Sequence, residues 1–223
     1  MQNKIDILGI EIDNFTVRES MLRVEEFLNG TGVKTIGTVT MGQLELAGND
    51  EEVKACIRQF DLAVIGEKEI LVAAGIRSGQ RISEIVDHAF FREFAKRILR
   101  NKKTVFLLTE TQEELQRVHD KLKQYYERMQ ISGGCSLESM GKDAEGIVNE
   151  INSASADIVF SFLTTPQQEY FLNENRNKLD IRIWYGMEQD FMPKSKFLTW
   201  KEAAGRLIHK KKLKSRLHEY NKS

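Results

Sequence analysis

Cysteine and proline are scarce in this 223-residue chain, with two of each. Cys56 and Cys135 show no CxxC spacing, so a disulfide framework is excluded and a reduced, cytoplasmic protein is the expectation. Long apolar runs are also missing. Ile70 to Ala74 and Val105 to Leu108 are far shorter than the roughly 20 residues a membrane-crossing helix needs. The opening Met1-Gln2-Asn3-Lys4 is too polar for a signal peptide. The histidines, His88, His119, His209 and His218, lack metal-ligand spacing, so neither a metal nor any other cofactor is expected. No GxGxxG, P-loop or GxSxG motif occurs.

An excess of charge of one sign is lacking too, since 33 bases balance 33 acids. The balance hides two opposed parts. From Lys194 to Ser223 there are ten Lys or Arg residues against two acids, which leaves the preceding chain with 23 bases against 31 acids. An acidic body carries a basic tail. The tail predicts contact with an anionic membrane surface, hence a peripheral position at its inner face. The acidity of the body argues against nucleic acid as a partner.

What remains is ordinary globular material, 41% hydrophobic and 30% charged. Short runs rich in Val, Ile and Phe predict buried strands at Thr35 to Val39, Leu62 to Ile65, Thr104 to Leu108, Ile158 to Leu163 and Ile181 to Tyr185. Between them, helical periodicity predicts helices over Asn49 to Phe60, Ser83 to Leu99, Gln112 to Tyr126, Ala144 to Ile151 and Pro166 to Asn175. Lys4 to Asp13 alternates as two extended pieces about Gly9, and Thr16-Val17-Arg18-Glu19 predicts a capped helix running to about Asn29. Alternation of this kind predicts an α/β, doubly wound, mainly parallel sheet with helices on both faces. The domain spans residues 1–193, and a basic helical appendage spans 194–223.

In such sheets ligands collect beyond the carboxyl ends of the strands. Three junctions qualify. At Thr164-Thr165-Pro166-Gln167-Gln168-Glu169, Thr165 reads as an N-cap, Pro166 as the first helical residue and Gln168 as the third member of a capping box. The helix start suits a diphosphate or carboxylate, although a capped crossover helix without a ligand fits as well. At Thr109-Glu110-Thr111 the acids disfavour phosphate, and Thr111 with Glu114 reads as a structural capping box. At Ile65-Gly66-Glu67, Glu67 is a candidate general base or an acid placed for the helix dipole. Gly133-Gly134 reads as a turn after a strand.

The segments Ala156-Asp157-Ile158 and Pro166-Gln167-Gln168-Glu169-Tyr170-Phe171-Leu172, with a later Asn, keep the order and spacing of one known block. Thr38, Leu44, Ala47 and Asp50, and the strands at Phe60 to Val64 and Val105 to Leu108, fit the same pattern. In these respects the chain, over roughly Ile5 to Phe191, resembles the WecB/TagA/CpsF glycosyltransferase family. The resemblance implies a Rossmann-like fold and transfer of an N-acetylhexosamine or related sugar from a UDP-sugar to a polyprenyl-diphosphate-linked acceptor, with inversion, in cell-surface polysaccharide synthesis. It further implies that Thr38, Thr40, Thr164, Thr165, Gln167, Gln168 and Glu169 bind substrate, and that the basic tail meets the membrane.

The chain also departs from the family. Thr40 stands where an Asn is expected, and Gly66 where the candidate catalytic Asp is expected, with Glu67 one residue along as the candidate base. Thr109-Glu110 and Thr164-Thr165 replace small-residue turns, and the late glycine-rich pattern survives only as Glu188 to Met192. Two alternatives therefore stay open: an inactive relative serving as partner or regulatory subunit of another glycosyltransferase, and a ligand-binding α/β protein using the helix start after Thr165.

Overall fold

A computed structural model describes residues 4–187. The chain opens with an antiparallel hairpin, β1 (Lys4–Ile7) and β2 (Ile10–Asp13). Helix α1 (Val17–Asn29) follows, and both bonds of the Thr16/Glu19 capping box are formed. Next come β3 (Lys34–Val39), α2 (Met41–Ala47), α3 (Glu51–Arg58), β4 (Leu62–Ile65) and α4 (Lys68–Ala73). Helices α5 (Gly79–Val86) and α6 (Ala89–Arg100) lead to β5 (Thr104–Thr109), α7 (Gln112–Tyr125) and β6 (Gln130–Ser136). The described residues end with α8 (Ala144–Ser153), β7 (Ile158–Ser161), α9 (Gln167–Asn175), a 3-10 turn (Arg176–Lys178) and β8 (Ile183–Gly186).

The main sheet runs β4-β3-β8-β7-β5-β6, and every neighbouring pair is parallel. Alternation within the strands sorts side chains to two cores. Val105, Leu107, Ile158, Phe160, Ile183 and Tyr185 face α1, α6 and α7. Phe106, Leu108, Val159 and Trp184 face α8 and α9. On that same side, nearer β3 and β4, the hairpin packs with α2, α3 and α4. This is the expected Rossmann-like α/β fold with helices on both faces. The basic appendage expected at 194–223 and the segment Glu188 to Met192 lie outside the described residues.

Three local expectations need correction. The helix expected over Ser83 to Leu99 is two helices, broken at His88, whose φ of 47° is left-handed. The break has a packing cause. Ile82 and Ile85 of α5 pack on the hairpin side of the sheet, whereas Phe90, Phe91, Phe94 and Ile98 of α6 pack on the opposite core, and one straight helix cannot serve both. Gly133 and Gly134 are not a turn but lie inside β6, a strand the sequence pattern hides. A Cβ at Gly133 would stand 3.0 Å from the Phe106 ring, and one at Gly134 3.0 Å from the Leu107 carbonyl oxygen, so close packing requires glycine there. Finally, α2 is not expected from the pattern, because seven residues are too few to show helical periodicity, and Glu67, expected in the first turn of a helix, is instead the residue just before α4.

Two aspartates fasten the amino ends of the strands. Asp61 accepts from the Thr35 amide and hydroxyl and from Lys34, and Asp157 accepts from the Thr104 amide and hydroxyl and from Lys103. The Asp of the Ala156-Asp157-Ile158 segment is therefore a strand fastener at the end remote from the strands' carboxyl edge. Burial alone would raise both acids, but these hydrogen bonds and cations outweigh it and hold both below the usual 3.8. A carboxyl lowered on folding contributes stability above its unfolded value and loses it as pH falls through the folded value. An Asp157→Asn variant is expected to be less stable than wild type at neutral pH. Its urea midpoint should also fall less between about pH 5 and about pH 3. Parallel acid limbs for the two proteins would remove Asp157 from the acid response.

Candidate functional site

Thr40 accepts a hydrogen bond from the Gln43 amide, and the Gln43 side-chain oxygen accepts from the Thr40 amide. This reciprocal box starts α2 at the carboxyl end of β3. Across the sheet, β7 ends at Ser161 and the chain passes through Phe162 to Thr165 into α9. Between these two walls lies an open cleft of about 470 Å³, floored by Thr38 of β3 and Met187 after β8. Thr40, Gly42, Gln43 and Leu46 form one side, and Phe162, Leu163, Thr164, Thr165 and Gln168 the other.

The structure thus brings together Thr38, Thr40, Thr164, Thr165 and Gln168. Gln168 is only 4% exposed, its amide is packed on Gly186, and among the described residues its Oε1 has no hydrogen-bond partner. A buried amide oxygen at a cleft wall is an acceptor waiting for a donor. The other candidate residues lie elsewhere. Gln167 is exposed on the outer side of α9 and does not line the cleft. Glu169 is fully buried beneath it. Glu67 precedes α4, lines neither this cleft nor the cavity beside Gly66, and accepts from the Met41 amide at 3.4 Å.

The capping at α9 differs from the expectation. Pro166, not Thr165, occupies the cap position, because the Gln168 amide is already satisfied by the Thr164 carbonyl. The Thr165 hydroxyl donates instead to Glu169 Oε1 at 3.2 Å. The Thr111 box is half formed. Thr111 accepts from the Glu114 amide, but the Glu114 carboxylate receives the Glu110 amide rather than that of Thr111. Glu110 in turn accepts from the amide and hydroxyl of Thr164, holding the loop before α9.

A second, smaller cavity of about 60 Å³ adjoins Gly66, lined by Thr38, Arg81, Glu84 and Tyr185 among others. Arg81 is buried there and pairs with Glu84 at 2.6 Å, while its Nε has no partner among the described residues. The Glu84 carboxylate also receives the Val17 amide at the start of α1. Thr38 lines both cavities, and its hydroxyl donates to the Tyr185 hydroxyl at 3.4 Å.

Among the described residues, no charged side chain lines the 470 Å³ cleft. Its walls are threonines, two glutamines and apolar groups, which suits an uncharged polar ligand with an apolar face, such as a sugar carrying an acetamido group. The cleft residues missed in the sequence were Gly42, Gln43, Leu46 and Met187, whereas Phe162 and Leu163 open the junction that the sequence pattern marks before Thr164. One signal was available: Thr40-x-x-Gln43 is itself a capping-box pattern.

Residues 5–191 match the model of the glycosyl transferase WecG/TagA/CpsF family. The chain is also similar to proteins named N-acetylglucosaminyldiphosphoundecaprenol N-acetyl-beta-D-mannosaminyltransferase from Staphylococcus aureus strains NCTC 8325 / PS 47, COL and MRSA252. Each is 24% identical over 196 residues, covering 82% of this chain and 72% of the relative. Among the described residues no helix is long and apolar enough to cross a membrane, and no cluster of His, Cys, Asp or Glu could hold a metal ion.

Proposed function

The chain belongs to the glycosyl transferase WecG/TagA/CpsF family, and on that premise we propose that it transfers an N-acetylhexosamine from a UDP-sugar to a polyprenyl-diphosphate-linked saccharide. The observation that carries this reading is the convergence of Thr38, Thr40, Thr164, Thr165 and Gln168 on one neutral cleft at the carboxyl edge of the sheet. The related staphylococcal proteins are named for a lipid-linked N-acetylglucosamine acceptor and an N-acetylmannosamine group, which sets the substrate class to try first.

In this reading the sugar ring lies in the cleft, where hydroxyl and amide groups match its hydroxyls and the apolar groups Leu46, Phe162, Leu163 and Met187 cover its face. The acceptor hydroxyl loses its proton to a base as its oxygen bonds to the anomeric carbon. The bond from that carbon to the donor diphosphate breaks, and UDP departs with the electron pair. Glu67, beside the Met41 amide at the start of α2 and outside the cleft lining, is the proposed base for an acceptor that approaches from that side. The basic segment from Lys194 is the proposed point of contact with an anionic membrane.

The test is a panel of UDP-sugars with a polyprenyl-diphosphate saccharide acceptor and direct product detection. Wild type is expected to turn over at least one UDP-N-acetylhexosamine, and Glu67→Gln to lose about 100-fold or more while remaining folded. Unchanged turnover in that variant would remove Glu67 from the chemistry.

Two observations favour a second reading, a relative that binds but does not turn over. Gly66 stands at the position where the family resemblance expects an Asp, and the Glu67 carboxylate already serves the Met41 amide. This reading predicts no turnover with any donor in the panel and a stable complex with another glycosyltransferase.

A further inference from the structure

We propose that Glu169 is a positioning residue, a buried clasp that ties the α2 wall of the cleft to the α9 wall and does not itself touch the ligand. The inference deepens the donor-site reading above and rests on it for its functional consequence.

Glu169 is 0% exposed and is absent from the cleft lining, which sets it apart from the candidate residues Thr38, Thr40, Thr164, Thr165 and Gln168 that line it. One of its oxygens serves both walls. Gln43 Nε2 donates to Oε1 at 2.6 Å from the α2 side, and the Thr165 hydroxyl donates to the same oxygen at 3.2 Å from the α9 side. Gln43 is the pivot. Its amide and side-chain oxygen both engage Thr40, so fixing the Gln43 side chain fixes the position of Thr40 in the cleft. Thr40 accepts in that box and keeps its hydroxyl proton as a donor. Helix α2 is seven residues long with Gly48 at its end, and a helix of that length holds its place by packing and tethers rather than by its own cooperativity.

Among the described residues Glu169 Oε2 is buried with no hydrogen-bond partner, so the acid is imperfectly paired for its burial, while an aliphatic side chain of similar size would leave the Gln43 and Thr165 donors unpaired. The carboxyl supplies what an aliphatic group cannot, a single acceptor reached from two separate chain segments. That geometry sets the spacing of Thr40 and Thr165 across the cleft.

The experiment compares wild type with Glu169→Gln and Glu169→Leu, with Glu169→Met as a second apolar variant. It measures the Kd for UDP-N-acetylmannosamine and UDP-N-acetylglucosamine by calorimetry, the urea midpoint, and amide hydrogen exchange over residues 40–47 and 163–168. Gln keeps the shared acceptor, so its Kd is expected within about threefold of wild type. The apolar variants are expected to bind at least about 10-fold more weakly, with faster exchange in both segments, and to lose more binding than their lowered urea midpoints account for. A wholly structural residue would not give that combination. Wild-type binding and exchange in either apolar variant would overturn the clasp. So would a loss of binding that merely tracks a lowered midpoint, or a loss in the Gln variant equal to that in the Leu variant. If wild type binds neither nucleotide sugar, the donor reading fails, and the exchange arm alone still decides whether Glu169 ties the two segments.

Discussion

Replacing Phe160 by alanine is expected to lower the stability of the domain by about 3–5 kcal/mol. Phe160 lies in β7, inside the sheet between β5 and β8, and is 0% exposed. Its ring meets Phe91 and Phe94 of α6 and Tyr185 of β8, with centroids 5.9, 6.0 and 5.9 Å away. Truncation removes the transfer free energy of the ring and leaves a void that the flanking strands, fixed by their ladders, cannot collapse to fill. Against a typical total of about 5–15 kcal/mol, that loss takes much of the margin. Urea unfolding at constant m-value measures it, with Leu22→Ala as the control. Leu22 is 63% exposed on α1, and its removal is expected to change stability by less than about 0.5 kcal/mol. A loss below about 1 kcal/mol for Phe160→Ala would mean that this core is far more pliable than its packing indicates.

The second large effect is expected in binding rather than stability. Gly186 ends β8 under the Gln168 amide, and a Cβ there would lie 2.7 Å from Nε2 and 2.9 Å from both Cδ and Oε1. The whole amide has to move, and it borders the open cleft, so it can move without breaking the sheet. Gly186→Ala is therefore expected to weaken binding of the proposed UDP-N-acetylhexosamine ligand by about 10- to 100-fold, since displacement of a binding group by about 1 Å costs on that order. Its urea midpoint should shift only modestly. A double-mutant cycle isolates the cause. If the added methyl acts by displacing Gln168, Gly186→Ala should have little further effect once Gln168 is alanine. A full effect in that background would show that Gly186 acts by another route.

These predictions rest on features that were unevenly legible. The strands at Leu62–Ile65 and Thr104–Thr109 were readable as short unbroken apolar runs, and the helix α7 by its helical period. The Thr16 box was readable because its bonds are local. Strand β6 was not, because at an edge its residues Gln130 to Gly134 are only partly covered and its two glycines imitate a turn. The break at His88 was hidden for a related reason. Both α5 and α6 are amphipathic, and only the sheet between their targets shows that they face different cores.

The candidate site divides in the same way. Thr164, Thr165 and Gln168 could be named in advance because they stand where a strand gives way to a helix, a place found from hydrophobic pattern and cap chemistry, whereas Thr38 and Thr40 were named only through the family resemblance. Which neighbours face the cleft could not be read in this way. Gln167, Gln168 and Glu169 are consecutive, yet one is exposed, one borders the cleft and one is sealed beneath it. The rotation of α9 decides among them, and that rotation follows from packing of Phe171 and Leu172 against the sheet.

The sequence by itself determined the layered α/β architecture, the strand-to-helix junctions where a ligand can bind, and the division into an acidic body and a basic tail. Each of these is written in local periodicity, in short-range capping chemistry or in a sum of charges, and none needs a contact between distant residues. The tertiary structure decided the strand order β4-β3-β8-β7-β5-β6, the neutral lining of the cleft, the seating of Gln168 on Gly186, and the clasp from Gln43 to Glu169 across 126 positions of chain. Those depend on which segments meet in space. Long-range meeting is set by the joint packing of all the elements, which the local sequence around any one of these residues does not encode.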